Sequence, residues 1–448
     1  MALTGIQIFK LLPGTNCKKC GVATCLAFAM NLASGKAELD KCPDVSPESR
    51  EKLAAASAPP IRPVAIGYGE TAIKVGGETV QFRHEKTFFN PTAIAALIED
   101  TTPVSEIADK VKRYQKLQYS RVGLNLRPEL VVIKGGANLA DAAKAVVDNS
   151  DLSVVLYSED PAALKAAAAV LEGKNPLIGP ATKANLEQVA EVAKEAKVPV
   201  WIKATSLDEV GELTKALGAA GVKDIVIDSG ARNAKDVFTD SINIRRAALV
   251  GGNRDYGFGT ITFPCEMTNN LALEGAIATS LVAKYAGIVV LSDMDGAVVF
   301  PLLLERLNIF TDPQRPMTVV EGIYPINNPD ENSPVLVTTN FSLTYFIVSG
   351  EVEGSRVPSW LLIKDCEGLS VLTAWAAGKF SGDDVGQFVL KRSNIVEKIK
   401  HKSVVIPGYA AAILGDMEEE LPGWTVSIGP REAAHLPKFL KEYKTSGA

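Results

Sequence analysis

Four of the six cysteines in this 448-residue chain fall within its first 45 residues, at Cys17, Cys20, Cys25 and Cys42. Thiolates so close in sequence can converge on one point, which suits a tetrahedral metal or a cubane cluster. Structural zinc sites usually use two short Cys-x-x-Cys pairs. Here one such pair is followed by gaps of four and sixteen residues, so the second pair is missing. Four thiolates around a cubane leave net negative charge, which Lys18, Lys19 and Lys41 can offset. Gly14 and Gly21 let backbone N–H groups approach the sulfurs. Pro43 follows the last cysteine, as in bacterial ferredoxins, although the spacing is not theirs. The expectation is one [4Fe–4S] cluster on Cys17, Cys20, Cys25 and Cys42. Disulfides are disfavoured because nothing else in the chain looks secreted.

Short helices must present these thiols. Thr4-Gly5-Ile6-Gln7 reads as a capping box opening a helix that Pro13-Gly14 stops. Leu26 to Ala33 reads as an apolar helix ending at Gly35. Ser46-Pro47 reads as a cap with proline at the first helical position, opening a third helix through Ala56. Three such helices bury little area, so the cluster is expected to hold the unit together. Ala54 to Pro63, rich in Ala and Pro, reads as a semi-rigid linker.

The chain totals set bounds. Its length suggests two or three domains. Hydrophobic residues make up 47% and charged residues 22%, ordinary for a protein with large cores. A net charge of −5 argues against nucleic acid as a partner. No apolar run approaches the length of a membrane span, and the N-terminus lacks the features of a signal peptide. Cys265 and Cys366 stand alone and read as buried small residues, so a cytoplasmic location is expected.

After the linker, strand-like runs at Val64–Tyr68, Thr71–Val75 and Thr79–Phe82 precede a repeating strand–helix pattern. Gly76-Gly77 is expected to turn the last two into a hairpin. The repeat reads as strands at Thr87–Phe89, Val122–Leu126 or Leu130–Ile133, Ser153–Tyr157, Pro176–Ile178, Pro199–Ile202, Asp224–Ile227, Thr260–Phe263 and Gly287–Leu291. Helical stretches such as Asn138–Val147, Leu186–Ala196 and Leu207–Leu217 lie between. Eight β/α units fit a TIM barrel, with the hairpin as a plug at its N-terminal end. Its mouth would carry Asn90, Lys134, Lys203, Asp228, Glu266 and Asp293. Two acids near a lysine there suit a pterin, but polar strand ends are common on any barrel.

Asn308 to Pro334 reads as irregular, with a boundary near residue 320. Strands at Val335–Thr339, Trp360–Lys364, Ser403–Ile406 and Trp424–Ile428 then alternate with helices, the pattern of an open, doubly wound, flavodoxin-like parallel sheet. Ligands in such sheets sit beyond the carboxyl ends of the strands. Three turns there pair a glycine with small residues: Gly368 with Ser370 and Thr373, Gly408 with Ala410 to Ala412, and Gly429 with Ala433 and Ala434. Small side chains let a flat, bulky ligand reach the backbone, and exposed helix N–H groups can bind amides or a phosphate.

The pattern Cys17-x2-Cys20-x4-Cys25-x16-Cys42, at the start of a chain of this length, resembles the large (gamma) subunit of the corrinoid iron–sulfur protein. The resemblance covers the whole chain. It implies a cluster domain at 1–57, a TIM barrel at 58–320 and a corrinoid-binding domain at 321–448. It implies a base-off cobamide in the C-terminal domain, with contacts at Asn340, Thr344, Ser370, Val371, Leu372, Thr373, Gly408, Gly429 and Ala433. Thr373 is expected beneath cobalt. Many cobalamin proteins offer cobalt a histidine within Asp-x-His-x-x-Gly, and His84, His401 and His435 all lack that context. The family holds its cofactor without such a ligand, which eases reduction to Co(I).

The activity so implied is that of a methyl carrier. Cob(I)amide takes a methyl group from methyltetrahydrofolate on a separate methyltransferase and passes it to CO dehydrogenase/acetyl-CoA synthase. The cluster rescues cobalt that has drifted to Co(II). The family works as a heterodimer with a small subunit. Two other readings predict different metals and ligands: a pterin-dependent methyltransferase acting at the barrel mouth, and an iron–sulfur electron-transfer subunit without corrinoid.

Overall fold

A computed structural model of the chain describes residues 5–33, 37, 39–50, 53, 59–121, 124–312 and 314–445. The chain divides into two compact units. The first runs to Gln118 and resumes from Arg127 to Phe310; the second takes Tyr119–Leu126 and resumes at Thr311. Among the described residues, no helix is long and apolar enough to cross a membrane.

The N-terminal segment has a core of its own. Helices Gly5–Phe9 and Cys25–Ala33 pack Ile8, Phe28 and Ala29 against Leu12, Val45 and Leu53, with Cys25 and Cys42 inside the same cluster. Thr24 and Ser46 accept backbone N–H groups at 3.1 Å from Ala27 and Ser49, as capping residues do. The expected capping box at Thr4, the stop at Gly35, the later part of the third helix apart from Leu53, and the Ala-rich start of the linker lie outside the described residues.

Strands β1 (Val64–Ile66) and β2 (Ile73–Val75) form an antiparallel hairpin. The expected hairpin partners differ: residues 67–72 make the turn, and 79–82 form no strand. Val64, Ile66 and Val75 sit in the barrel's interior cluster. A Cβ at Gly259 or Gly287 would lie 2.3 Å from Val75 Cγ1, so these glycines at the strand beginnings make room for the plug.

The barrel closes through β3 (Ala93–Glu99), β6 (Leu130–Lys134), β7 (Ser153–Tyr157), β8 (Leu177–Ala181), β9 (Val200–Lys203), β10 (Ile225–Asp228), β11 (Gly259–Thr262) and β12 (Ile288–Leu291), all parallel. Its first strand is Ala93–Glu99 rather than Thr87–Phe89. The second is Leu130–Lys134, while β5 (Leu124–Leu126) pairs with β4 (Tyr119–Arg121) in a separate ribbon. Tyr157, Trp201 and Phe263 fill the interior, with ring centroids 4.9 to 5.6 Å apart. This is a packed core, not a pore.

The second unit holds a five-stranded sheet in the order β13 (Gly322–Ile326), β15 (Ser359–Lys364), β14 (Val335–Thr339), β16 (Ser403–Ile406), β17 (Thr425–Ile428). β13 is antiparallel and the rest are parallel, the flavodoxin-like order with one added edge. β13 falls inside the stretch expected to be irregular. Its Pro325 is tolerated because an edge strand leaves one row of backbone groups unpaired. The β4–β5 ribbon belongs to this unit, where the Arg121 guanidinium lies 3.8 Å from the Phe346 ring centroid.

At the barrel's carboxyl end, Glu266 accepts from Lys134 at 2.9 Å and from Arg232 at 2.5 Å. Burial pushes the Glu266 carboxyl up, but these two cations outweigh it and hold it below its ordinary value of 4.5. A depressed folded-state pKa gives stabilisation that is complete above the unfolded value and is lost as pH falls through the folded one. Glu266→Gln is expected to cost about 1–3 kcal/mol at neutral pH, read from the urea midpoint at unchanged slope. The gap between variant and parent should close below pH ~4. A gap that persists in acid would show that the ion pairs are not its source.

Candidate functional site

The loop that carries the first cysteines is tightly curled. Gly14, Asn16, Lys18 and Gly21 all have positive φ, from 50° to 79°, whereas Thr15 and Cys17 between them do not. Such alternation turns successive N–H groups toward one side, the concavity that binds anionic and iron–sulfur groups. Asn16 ties the loop to the next helix: its Oδ1 accepts from Cys25 N at 2.7 Å, and its own N–H points at Cys25 Sγ at 3.4 Å. Lys19 bonds Asp44 at 3.1 Å, and Cys17 Sγ lies 3.5 Å from the same carboxylate.

Cys25 and Cys42 are buried, Cys20 is half-buried and Cys17 is exposed. Burial pushes the Cys42 thiol up, and Cys20, Cys25 and Cys17 each add to the rise, so the four are electrostatic neighbours. Among the described residues no three His, Cys, Asp or Glu side chains are close enough together to hold a metal ion. The thiols share one small region without forming a preassembled tetrahedron. The chemistry of the donor set and the curled backbone still fit a cluster, whose iron would draw the sulfurs in.

The second region lies at the carboxyl ends of β14, β16 and β17. A cavity of about 320 Å³ opens there. Its walls are mostly apolar and come from the three strand ends, the helix Ser342–Ser355 and the start of the helix Val371–Ala376. Strand alternation puts Val335 and Val337 in the core and Leu336 and Thr338 on the opposite side. Thr338 is 2% exposed, and its hydroxyl has no hydrogen-bond partner. A buried hydroxyl left unpaired costs about 1–3 kcal/mol, which a ligand in the cavity can recover.

Six of the nine expected contact residues line this cavity: Thr344, Ser370, Val371, Leu372, Gly429 and Ala433. The other three stand off it. Thr373 Oγ1 lies 3.0 Å from Ser370 Oγ. Gly408 packs behind the wall, donating to Pro430 O at 3.2 Å. Asn340 is buried and bonds the neighbouring turn. Residues that reading the sequence missed include Thr338, Ile347, Tyr409 and Arg431. Tyr409 and Arg431 follow the glycine turns at Gly408 and Gly429 and so carried a positional signal; Thr338 and Ile347 carried none.

The barrel mouth offers a contrast. Arg232 also grips Asp228 through both carboxylate oxygens, at 3.0 and 2.7 Å. Asp293 accepts from Tyr114 and Arg113, and Lys203 faces Glu159 at 3.6 Å. Asn90 is not at the mouth: it precedes β3 and bonds Gly76 O at 2.6 Å, beside the plug. The mouth charges are engaged with one another.

Gly408 tests the cavity wall. A Cβ there would lie 2.7 Å from both Gly429 O and Arg431 N, which are backbone atoms and cannot swing aside. Gly408→Ala is expected to destabilise the chain by about 1–3 kcal/mol and to shift the 429–431 loop. Thermal unfolding and amide chemical shifts of that loop would check it; an unchanged loop would mean the wall has slack.

Comparison with known proteins bears on the whole chain. A family model described as CO dehydrogenase/acetyl-CoA synthase delta subunit matches residues 63–440, and one for an Fe-S cluster matches residues 12–43. The corrinoid/iron-sulfur protein large subunit of Moorella thermoacetica is 42% identical over 98% of this chain and 99% of its own. The acetyl-CoA decarbonylase/synthase complex gamma subunit of Methanopyrus kandleri is 36% identical, covering 98% of each chain. That of Methanothermobacter thermautotrophicus is 34% identical over 98% of this chain and 99% of its own. With the family model spanning most of the chain and full-length relatives on either side, this chain belongs to the family of corrinoid/iron-sulfur protein large subunits and acetyl-CoA decarbonylase/synthase gamma subunits.

Proposed function

We propose that this chain is a methyl-group carrier that holds a cobamide in its C-terminal cavity and a [4Fe–4S] cluster on Cys17, Cys20, Cys25 and Cys42. The observation that carries this reading is the cavity beyond β14 and β16, with its apolar walls and the unpartnered, buried Thr338 hydroxyl. The name of the Moorella relative, which joins corrinoid with iron–sulfur, supports it. When bound, the cobamide supplies a low-valent cobalt that accepts and releases a methyl group, and the cluster supplies single electrons that restore that state.

The chain's own residues bind, orient and shield. Thr344, Ser370 and Thr338 put hydroxyls on a mostly apolar wall, where they can meet the polar edge of a flat ligand. Gly429 and Ala433 keep the wall thin. None of the three histidines lines the cavity. His401 is buried, with Nε2 2.9 Å from Ser333 O and Nδ1 accepting from Ser403 N at 3.2 Å. This supports a base-off cobamide that takes no protein histidine. Gly408 backs the wall from behind, and the exposed Thr373 bonds Ser370 at its edge.

The proposal divides labour among a cluster domain at 1–57, a barrel at 58–320 and a cobamide domain at 321–448. Its partners are a small subunit, a methyltetrahydrofolate methyltransferase as methyl source, and acetyl-CoA synthase as methyl acceptor. The setting is the cytoplasm.

Two measurements test the two cofactors separately. Cys20→Ala should lose iron and sulfide while keeping cobalt at the parent's level; stoichiometric zinc with no iron in the parent would reject the cluster. Thr338→Val should act in opposite directions on two readouts. The cofactor-free chain should gain about 1 kcal/mol, because an unpaired hydroxyl is removed, while cobamide affinity falls about tenfold. Equal affinity in both proteins would take Thr338 out of the site.

A further inference from the structure

We propose that Asn340 is a positioning residue: it clamps the turn Asp365–Ser370 and so shapes the cavity wall without touching the cofactor. This rests on the cobamide reading of the cavity. The last rung of the β14–β15 ladder pairs Thr339 with Lys364. Asn340 and Asp365 are the next residues on each strand, where a further rung would fall. Side chains replace it. Asn340 Nδ2 donates to Asp365 Oδ1 at 2.7 Å. Asn340 Oδ1 accepts from Cys366 N at 2.9 Å and from Gly368 N at 3.0 Å. Asp365 Oδ1 also accepts from Glu367 N at 2.9 Å.

The carboxamide can point only one way here. Its oxygen must receive two N–H groups and its nitrogen must give to a carboxylate, so neither an acid nor an alcohol fills the position alone. The turn needs such a hold. Glu367 and Gly368 are both left-handed, with φ of 55° and 75°. A non-glycine residue in that region persists only where its surroundings fix it. A Cβ at Gly368 would lie 2.9 Å from Pro316 Cβ and Thr318 Cγ2, so the turn is pressed close to that segment. Directly after it come Ser370, Val371 and Leu372, one edge of the cavity. Asn340 is 3% exposed and does not reach the wall itself.

Exchanging the two partners tests the clamp. Asn340→Asp sets a second carboxylate against Asp365 and removes the donor. In the full-length chain it should speed exchange of the Cys366 and Gly368 amides at least about tenfold and weaken cobamide binding about tenfold. Adding Asp365→Asn reverses the polarity: the carboxamide introduced at position 365 now donates, and the carboxylate introduced at position 340 still accepts from both N–H groups, although the Glu367 N–H loses the acceptor that Asp365 Oδ1 gave it. The double variant should return both readouts to within about threefold of the parent. If it protects the amides no better than Asn340→Asp alone, the clamp is wrong. If it restores the amides but not cobamide binding, Asn340 contacts the cofactor and the positioning role falls. A parent chain that takes up no cobamide would instead reject the cavity's assignment, and the amide readout would still decide the clamp.

Discussion

The C-terminal site depends on one break in a hydrogen-bonded ladder. β14 and β15 share five register pairs, whereas β14 and β16 share one, Leu336 with Val405. The strand order reverses between β14 and β16, so the connections leaving them depart to opposite faces of the sheet. Little backbone bonding then holds the strand ends together, and a crevice remains at their carboxyl ends. The cavity exists because of this topology. Side chains only finish it, by keeping the wall mostly apolar and by leaving the Thr338 hydroxyl, which lines it, with nothing to bond. Had the strands been laid down in simple sequence, the helices would have covered the same edge.

The two candidate sites work on different physical terms. The cavity is a preformed shape with few charges. The cysteine region is an electrostatic problem, because burial and the three neighbouring cysteines all disfavour a thiolate at Cys42, and positive charge added among them would reverse that. The barrel is a third case. Its mouth charges already satisfy one another, and its interior is closed by Tyr157, Trp201 and Phe263. Its contribution is a rigid scaffold whose polar end is occupied with its own stability.

Much of this was legible in the residues, and the failures are instructive. The cysteine spacing, the helix Leu186–Ala196 and the four parallel strands of the C-terminal sheet could be read directly, because each rests on local pattern. The first barrel strand could not. Ala93–Glu99 holds three alanines, which are poor strand formers, and is mostly buried on both faces, so its two isoleucines stand without a period of two. β13 was hidden by its proline, which an edge position tolerates. The hairpin was misplaced because Gly76-Gly77 looks like a turn. Gly76 instead serves close approach: a Cβ there would lie 2.3 Å from Arg62 O. Thr338 and Asn340 show a deeper limit. An unpaired hydroxyl and a three-way carboxamide are properties of assembled neighbours, and no spacing announces them.

The β4–β5 ribbon makes the second unit discontinuous along the chain. Its residues are encoded within the barrel, yet Arg121 stacks on Phe346, in the helix that also supplies Thr344 to the cavity. During synthesis the ribbon emerges long before that helix and waits for it. A contact of such long sequence separation slows folding. The second unit therefore cannot be inherited, shuffled or truncated as one contiguous stretch of gene. Any recombination event that carries only the C-terminal segment leaves part of the fold behind, which gives a physical reason for the barrel and the sheet to travel together through evolution.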